Sequence, residues 1–165
     1  MLILWQQANV IIHNKVACLT EYGLFPILCG DRFSAADTPG SEGMQRWQAP
    51  EILIPPRSNG EAVYGSEPAD VFAFAMLAAE VFTGRVPFGE TVTKEVATRM
   101  ITDGHRPELP AEIEEQTQML IGKCWNKKPK KRPDVGNVVA NLESLLNGRG
   151  LGKSIPIPGD HILIR

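Results

Sequence analysis

The sequence predicts a mainly α-helical domain with one small β-hairpin at its N-terminal edge. Three observations carry that expectation. Residues 68–82 are apolar on nearly every face of a helix, three later segments repeat apolar residues at helical spacing, and residues 10–19 hold two short strand-favouring runs.

In chain order, residues 10–12 and 16–19 are β-favouring runs separated by His13-Asn14-Lys15, a polar break that reads as a hairpin turn. Residues 25–48 carry Pro26, Gly30, Pro39, Gly40 and Gly43 among small polar side chains with no sustained period, which predicts a long loop. Loops of that length inside compact domains are usually functional or disordered. Residues 68–82 place Pro68 near a first turn and Gly84 just past the end, the punctuation of a helix hydrophobic all round and therefore central. Burying its large apolar side chains contributes about 10 to 20 kcal/mol gross, an upper bound because the unfolded chain is itself compact.

Val92, Val96, Met100 and Ile101 predict an amphipathic helix over residues 92–101, and Ile113, Met119, Leu120 and Cys124 predict another over 111–125. Asp134 is the expected N-cap of a last helix that turns Val138, Val139, Leu142, Leu145 and Leu146 inward and ends at Gly148. These elements make one domain over residues 1–147. Residues 148–165 form a Gly- and Pro-rich tail outside it, with Ile162-Leu163-Ile164 as a candidate edge strand.

The 165 residues, 43% hydrophobic and 22% charged, suffice for one domain with a real core. A net charge of -2 supplies no field to draw the whole molecule onto nucleic acid or an anionic membrane, and neither partner is expected. Cys18, Cys29 and Cys124 are odd in number and irregular in spacing, which argues against a disulfide framework and for three buried or half-buried thiols in a reducing compartment. The apolar Met1-Leu2-Ile3-Leu4-Trp5 lacks the length of a membrane span and the cationic lead of a signal peptide, so the cytoplasm is expected. Lys127-Lys128-Pro129-Lys130-Lys131-Arg132 reads as a solvated turn, with nuclear import or polyanion binding as the alternative. Gly148-Arg149-Gly150-Leu151-Gly152 follows a helix and is a linker, not a phosphate cradle. His13, His105 and His161 lie too far apart in sequence to suggest zinc.

Thr20-Glu21-Tyr22-Gly23 opens, and Arg46-Trp47-Gln48-Ala49-Pro50-Glu51 closes, a segment whose bounds resemble those of a kinase activation segment. Asn9 in Gln7-Ala8-Asn9-Val10-Ile11-Ile12, Asp70 at the head of the apolar run, Thr83-Gly84-Arg85-Val86-Pro87-Phe88 after it, and Cys124-Trp125 through Pro129-Lys130-Lys131-Arg132-Pro133 follow in order. Together, over about Asn9 to Leu146, they resemble the C-terminal lobe of a protein kinase of the tyrosine-kinase-like group.

The resemblance implies a kinase-like C-lobe and, in a parent protein, ATP and magnesium. It places Asn9 and Glu21 at the nucleotide and metal. Glu21 departs from the family's aspartate: its extra methylene moves the oxygens outward, and magnesium tolerates little departure from octahedral geometry at about 2.0 to 2.1 Å, so a solvated acid remains the alternative. Asp70 matches the acid that braces the catalytic-loop backbone. Glu51 should meet Arg132, a planar guanidinium able to hold a carboxylate through two parallel bonds. Ser34, Thr38 and Ser41 fall in the activation segment, where a phosphate would order the loop against basic side chains; plain loop polarity is the alternative.

Departures from the family pattern weigh as much. Leu4 stands where the catalytic aspartate belongs, and loss of a general base typically costs about 10²- to 10⁴-fold. Neither a Gly-rich phosphate loop nor a strand lysine precedes Asn9, so the N-lobe is expected to be absent. The helix that precedes the catalytic loop is expected to be missing too, which should leave Phe72, Phe74 and Met76 partly uncovered. The chain alone is therefore expected to bind no ATP or magnesium and to show no kinase turnover. Two functions stay open. One is a fragment of a serine/threonine or tyrosine kinase, with a substrate protein as partner; the other is a pseudokinase-like module that holds a protein partner through the activation segment and residues 92–125.

Overall fold

The computed structural model describes residues 10–14, 16–19, 44–54 and 66–148. Strand β1 (Val10–His13) pairs antiparallel with β2 (Val16–Leu19), Val10 opposite Leu19 and His13 opposite Val16. His13 thus joins the ladder instead of the turn. Asn14 closes the hairpin at φ 50°, a left-handed conformation that asparagine tolerates better than most side chains. Val10 rests on the core, whereas Ile11, Ile12 and Val16 face outward.

A 3₁₀ turn at Met44–Arg46 interrupts the stretch read as loop, and the short helix α1 (Pro50–Leu53) follows. Pro50 starts it, its missing N–H costing nothing in the first turn.

Helix α2 (Glu67–Thr83) is the centre of the fold. Ser66 caps it by accepting from the Ala69 N–H at 3.4 Å, and Gly84, at φ 65°, ends it with a bond from its own N–H to Glu80 O at 2.8 Å. Its two sides meet different apolar clusters. Ala69, Phe72, Met76 and Leu77 join Trp47, Ala49 and Ile101, while Val71 and Ala75 join Leu120, Ile121, Cys124 and Val138. Phe72 and Met76 are fully buried, contrary to the expectation that they would be uncovered, because Trp47 and Ala49 arrive from before α1 and Ile101 from a later helix. Phe74 is half-buried, and the exposed apolar residue is Val81 near the end of the helix.

Helix α3 (Lys94–Asp103) is capped by Thr93, which accepts from the Val96 N–H at 3.4 Å, and stops at Gly104 with φ 102°. Its inward pair is Ala97 and Ile101, one turn apart, and Val96 is exposed. Helical spacing alone favours the larger Val96 as the inward residue. Here α3 packs on the 3₁₀ turn and α1, where alanine permits close approach.

Helix α4 (Glu115–Cys124) begins four residues later than expected, since residues 110–113 form a turn closed by Ile113 N–H to Pro110 O at 3.2 Å and held by Gln118 Nε2 to Ile113 O at 2.7 Å. Thr117, Leu120, Ile121 and Cys124 face the core; Met119 does not.

Helix α5 (Val135–Gly148) starts at the expected cap, with Asp134 Oδ1 accepting from the Asn137 N–H at 2.7 Å. Val138 is buried and Leu142 and Leu145 pack beside it, but Val139 and Leu146 are exposed, against expectation. The helix includes Gly148, where the tail was expected to start. No helix of the described residues is long and apolar enough to cross a membrane.

Candidate functional site

Side chains of residues 46–51 are tied to the helical body at three places. The deepest tie is Arg132, which follows a 3₁₀ turn at Pro129–Lys131. Its Nη1 donates to Glu51 Oε1 at 2.6 Å and its Nη2 to Glu51 Oε2 at 2.9 Å. The remaining donors reach Pro68 O at 2.8 Å and Asn126 O at 2.8 Å, so one side chain joins α1, the head of α2 and the end of α4. The Arg132 side chain is 0% exposed and that of Glu51 17%. A charge this far from water is stable only with such complete pairing.

Beneath the pair lies Phe72. The Arg132 guanidinium carbon sits 5.0 Å from its ring centroid and that of Arg106 4.8 Å, both within cation–π range. Arg106 donates from Nε to Trp125 O at 2.8 Å and from Nη1 to Ile101 O at 3.1 Å. Burial, with the neighbouring Arg132 charge adding to it and Glu51 opposing, lowers its pKa to about 10. Arg106 therefore stays charged at neutral pH.

The second tie joins Trp47 to α2. Trp47 Nε1 donates to Glu80 Oε2 at 2.9 Å, and both residues are buried. Burial raises the Glu80 pKa from 4.5 to about 7, against the hydrogen bond from Trp47, which lowers it. An acid whose pKa rises on folding stabilises the fold most below its unfolded pKa, and that contribution is lost as pH climbs from about 4.5 to about 7. The loss amounts to about 3 kcal/mol. Glu80→Gln keeps an acceptor for Trp47 without the charge. In urea titrations from pH 4 to 8 it should flatten this slope and leave the variant more stable than wild type at pH 8.

The third tie is Arg46, which donates from Nη1 to Pro87 O at 2.9 Å and Gly89 O at 3.2 Å, and from Nη2 to Val92 O. These bonds bracket Phe88, whose φ of 69° is strained for a bulky side chain. Carbonyls on both sides of the strained residue are thereby fixed.

Among the residues expected at a site, Glu51 and Arg132 come together, and Asp70 lies buried in the first turn of α2. Leu4, Asn9, Glu21, Ser34, Thr38, Ser41 and Cys29 lie outside the described residues. Cys18 is half-buried and Cys124 buried, both free. Burial pushes the Cys124 thiol up to about 11, so it remains protonated and unreactive. Among the described residues no group of three or more His, Cys, Asp or Glu is placed to hold a metal. The arrangement holds a chain segment against the helical body.

Sequence reasoning missed Glu80, Arg46 and Arg106. Glu80 had a signal, being an acid in a stretch otherwise apolar on every face. The other two, each bonding distant backbone carbonyls, had none.

The model of the family described as protein tyrosine and serine/threonine kinase matches residues 6–142. The chain belongs to the protein kinase family. This kinase chain is 37% identical over 155 residues to the light-sensor protein kinase of Ceratodon purpureus, covering 83% of the chain and 12% of that relative. It is 35% identical over 104 residues to the serine/threonine/tyrosine-protein kinase HT1 of Arabidopsis thaliana, covering 63% of the chain and 25% of the relative. Identity to the RGS domain-containing serine/threonine-protein kinase A of Dictyostelium discoideum is 34% over 104 residues, 63% of the chain and 8% of the relative. The kinase chain thus spans a quarter or less of these relatives' length.

Proposed function

We propose that the chain, over residues 1–147, is the substrate-holding part of a protein kinase domain and transfers no phosphate by itself. The observation that supports this most is the Glu51–Arg132 clasp, reinforced by Trp47–Glu80, which secures the end of the loop across which a kinase's protein substrate lies. Leu4 supports the second half of the reading, since a leucine at the place of the catalytic aspartate can neither accept a proton nor orient a hydroxyl. Asn9 and Glu21 offer hard oxygen donors of the kind magnesium takes and would hold the ion in a complete domain. Magnesium supplies neutralisation of phosphate charge there. The whole protein would phosphorylate serine, threonine or tyrosine on a protein substrate from ATP, in the cytoplasm.

Thermal melting with and without magnesium-ATP tests this. No shift is expected, and no label should pass to a generic protein substrate. A ligand at about 100 times its Kd stabilises by about 2.7 kcal/mol, so a shift of that size, or transferred label, overturns the proposal. An intact mass of the endogenous protein well above that of the 165 residues would establish the parent kinase.

A second reading, a pseudokinase-like module that holds a protein partner, is favoured by Val96 on α3 and Met119 on α4, both apolar and exposed. Partner capture lost in Val96→Asp or Met119→Asp, with magnesium-ATP still without effect, would select it.

A further inference from the structure

Helix α4 turns a patterned stripe away from the core. Thr117, Leu120, Ile121 and Cys124 face inward, so the opposite side carries Glu115, Met119 and Lys123 at i, i+4 and i+8, all three exposed. Met119, 53% exposed, is an apolar side chain that the core does not use. An acid stands one turn before it and a base one turn after it. Gly122, exposed beside the stripe, adds no side chain that would hold another helix away.

Among the described residues neither Glu115 nor Lys123 enters a salt bridge. At 1.5 Å per residue they lie about 12 Å apart along the axis, too far to pair with each other. The order acid, apolar, base is its own complement when reversed. A two-fold axis through Met119 lays the stripe antiparallel on that of a second copy, Met119 against Met119 and each Glu115 against Lys123 of the other copy. Such stripes are i±4n rows, and two of them packed together cross their helices at about −50°, the commonest angle between packed helices. Exposed Glu112 precedes the helix and exposed Lys127 and Lys128 follow it, so unlike ends attract over a longer range. A partner of uniform charge would satisfy one end of the stripe and be repelled by the other. A copy of this chain satisfies both.

We propose that the chain pairs with a second copy of itself through α4, in a two-fold contact centred on Met119 and set in register by two Glu115–Lys123 ion pairs. The face of one 10-residue helix makes a small interface, so the dimer is weak and salt-sensitive.

Sedimentation equilibrium of the full 165-residue chain tests this. Wild type should dimerise as concentration rises, with a dissociation constant that increases at least about tenfold between about 0.02 and 0.5 M salt. Glu115→Lys or Lys123→Glu sets like charges together twice and should weaken association at least about tenfold. Combining the two restores both pairs with their signs exchanged and should return the constant to within about threefold of wild type. Helix stability predicts the opposite order, since the double variant puts a base in the first turn and an acid in the last, against the helix dipole. Recovery therefore reports the contact and not the fold. Met119→Cys should form a disulfide-linked dimer under mild oxidation that wild type, with its own three cysteines, does not. The proposal is overturned if wild type stays monomeric throughout, if the double variant associates no better than the single ones, or if Met119→Cys links no faster than wild type.

Discussion

Arg132→Ala should destabilise the folded chain by about 3 to 5 kcal/mol, measured by urea unfolding followed through tryptophan fluorescence. The size comes from what is left behind. Glu51 would lose both hydrogen bonds at 83% side-chain burial, the complement of its 17% exposure, and Pro68 O and Asn126 O would each lose a charged donor. Phe72 would lose one of its two cationic neighbours. Arg132→Lys should recover little, since a lone ammonium cannot span both carboxylate oxygens and two carbonyls. Glu51→Gln should cost less than Arg132→Ala, because the amide still accepts one bond. If Arg132→Ala melts within about 0.5 kcal/mol of wild type, the value typical of an exposed surface change, the clasp is not what secures α1.

Phe72→Ala should cost about 3 to 5 kcal/mol in the same assay, the range for removing a fully buried aromatic ring. Here the cavity would open between two guanidinium groups, Arg106 and Arg132, that the ring now attracts. Phe72→Leu separates the contributions. It fills most of the volume but offers no negative ring face, so a residual deficit of about 1 kcal/mol or more would measure the cation–π share. Pairing Phe72→Leu with Arg106→Met in a double-mutant cycle should give a coupling of at least about 0.5 kcal/mol; additive effects would show that the ring acts through volume alone.

Much of this architecture was legible in the residues. Local signals with one meaning carried over well: the Pro68 and Gly84 limits of α2, the Asp134 cap and the hairpin break all sit where backbone chemistry puts them. The meeting of Glu51 with Arg132 was legible only through the family resemblance, because 81 residues separate them. The inward faces of α3, α4 and α5 were read less well. Periodicity identifies a helix, but adjacent apolar pairs such as Val138-Val139 and Leu145-Leu146 leave its rotation open, and only packing chooses. At Ala97 the choice went to the smaller side chain because a neighbouring turn comes close. Glu80 escaped notice because its role depends on Trp47, 33 residues away.

Helix α2 belongs to two apolar clusters at once, and at 100° per residue their contact positions fall on opposite sides of its axis. Neither half can therefore melt while the other stays intact: withdrawing the helix from one cluster strips it from both. The molecule is bound to open as a single cooperative unit, and damage at the Glu51 end is felt by the Leu145 end through this shared beam and through Trp125, which packs against both clusters.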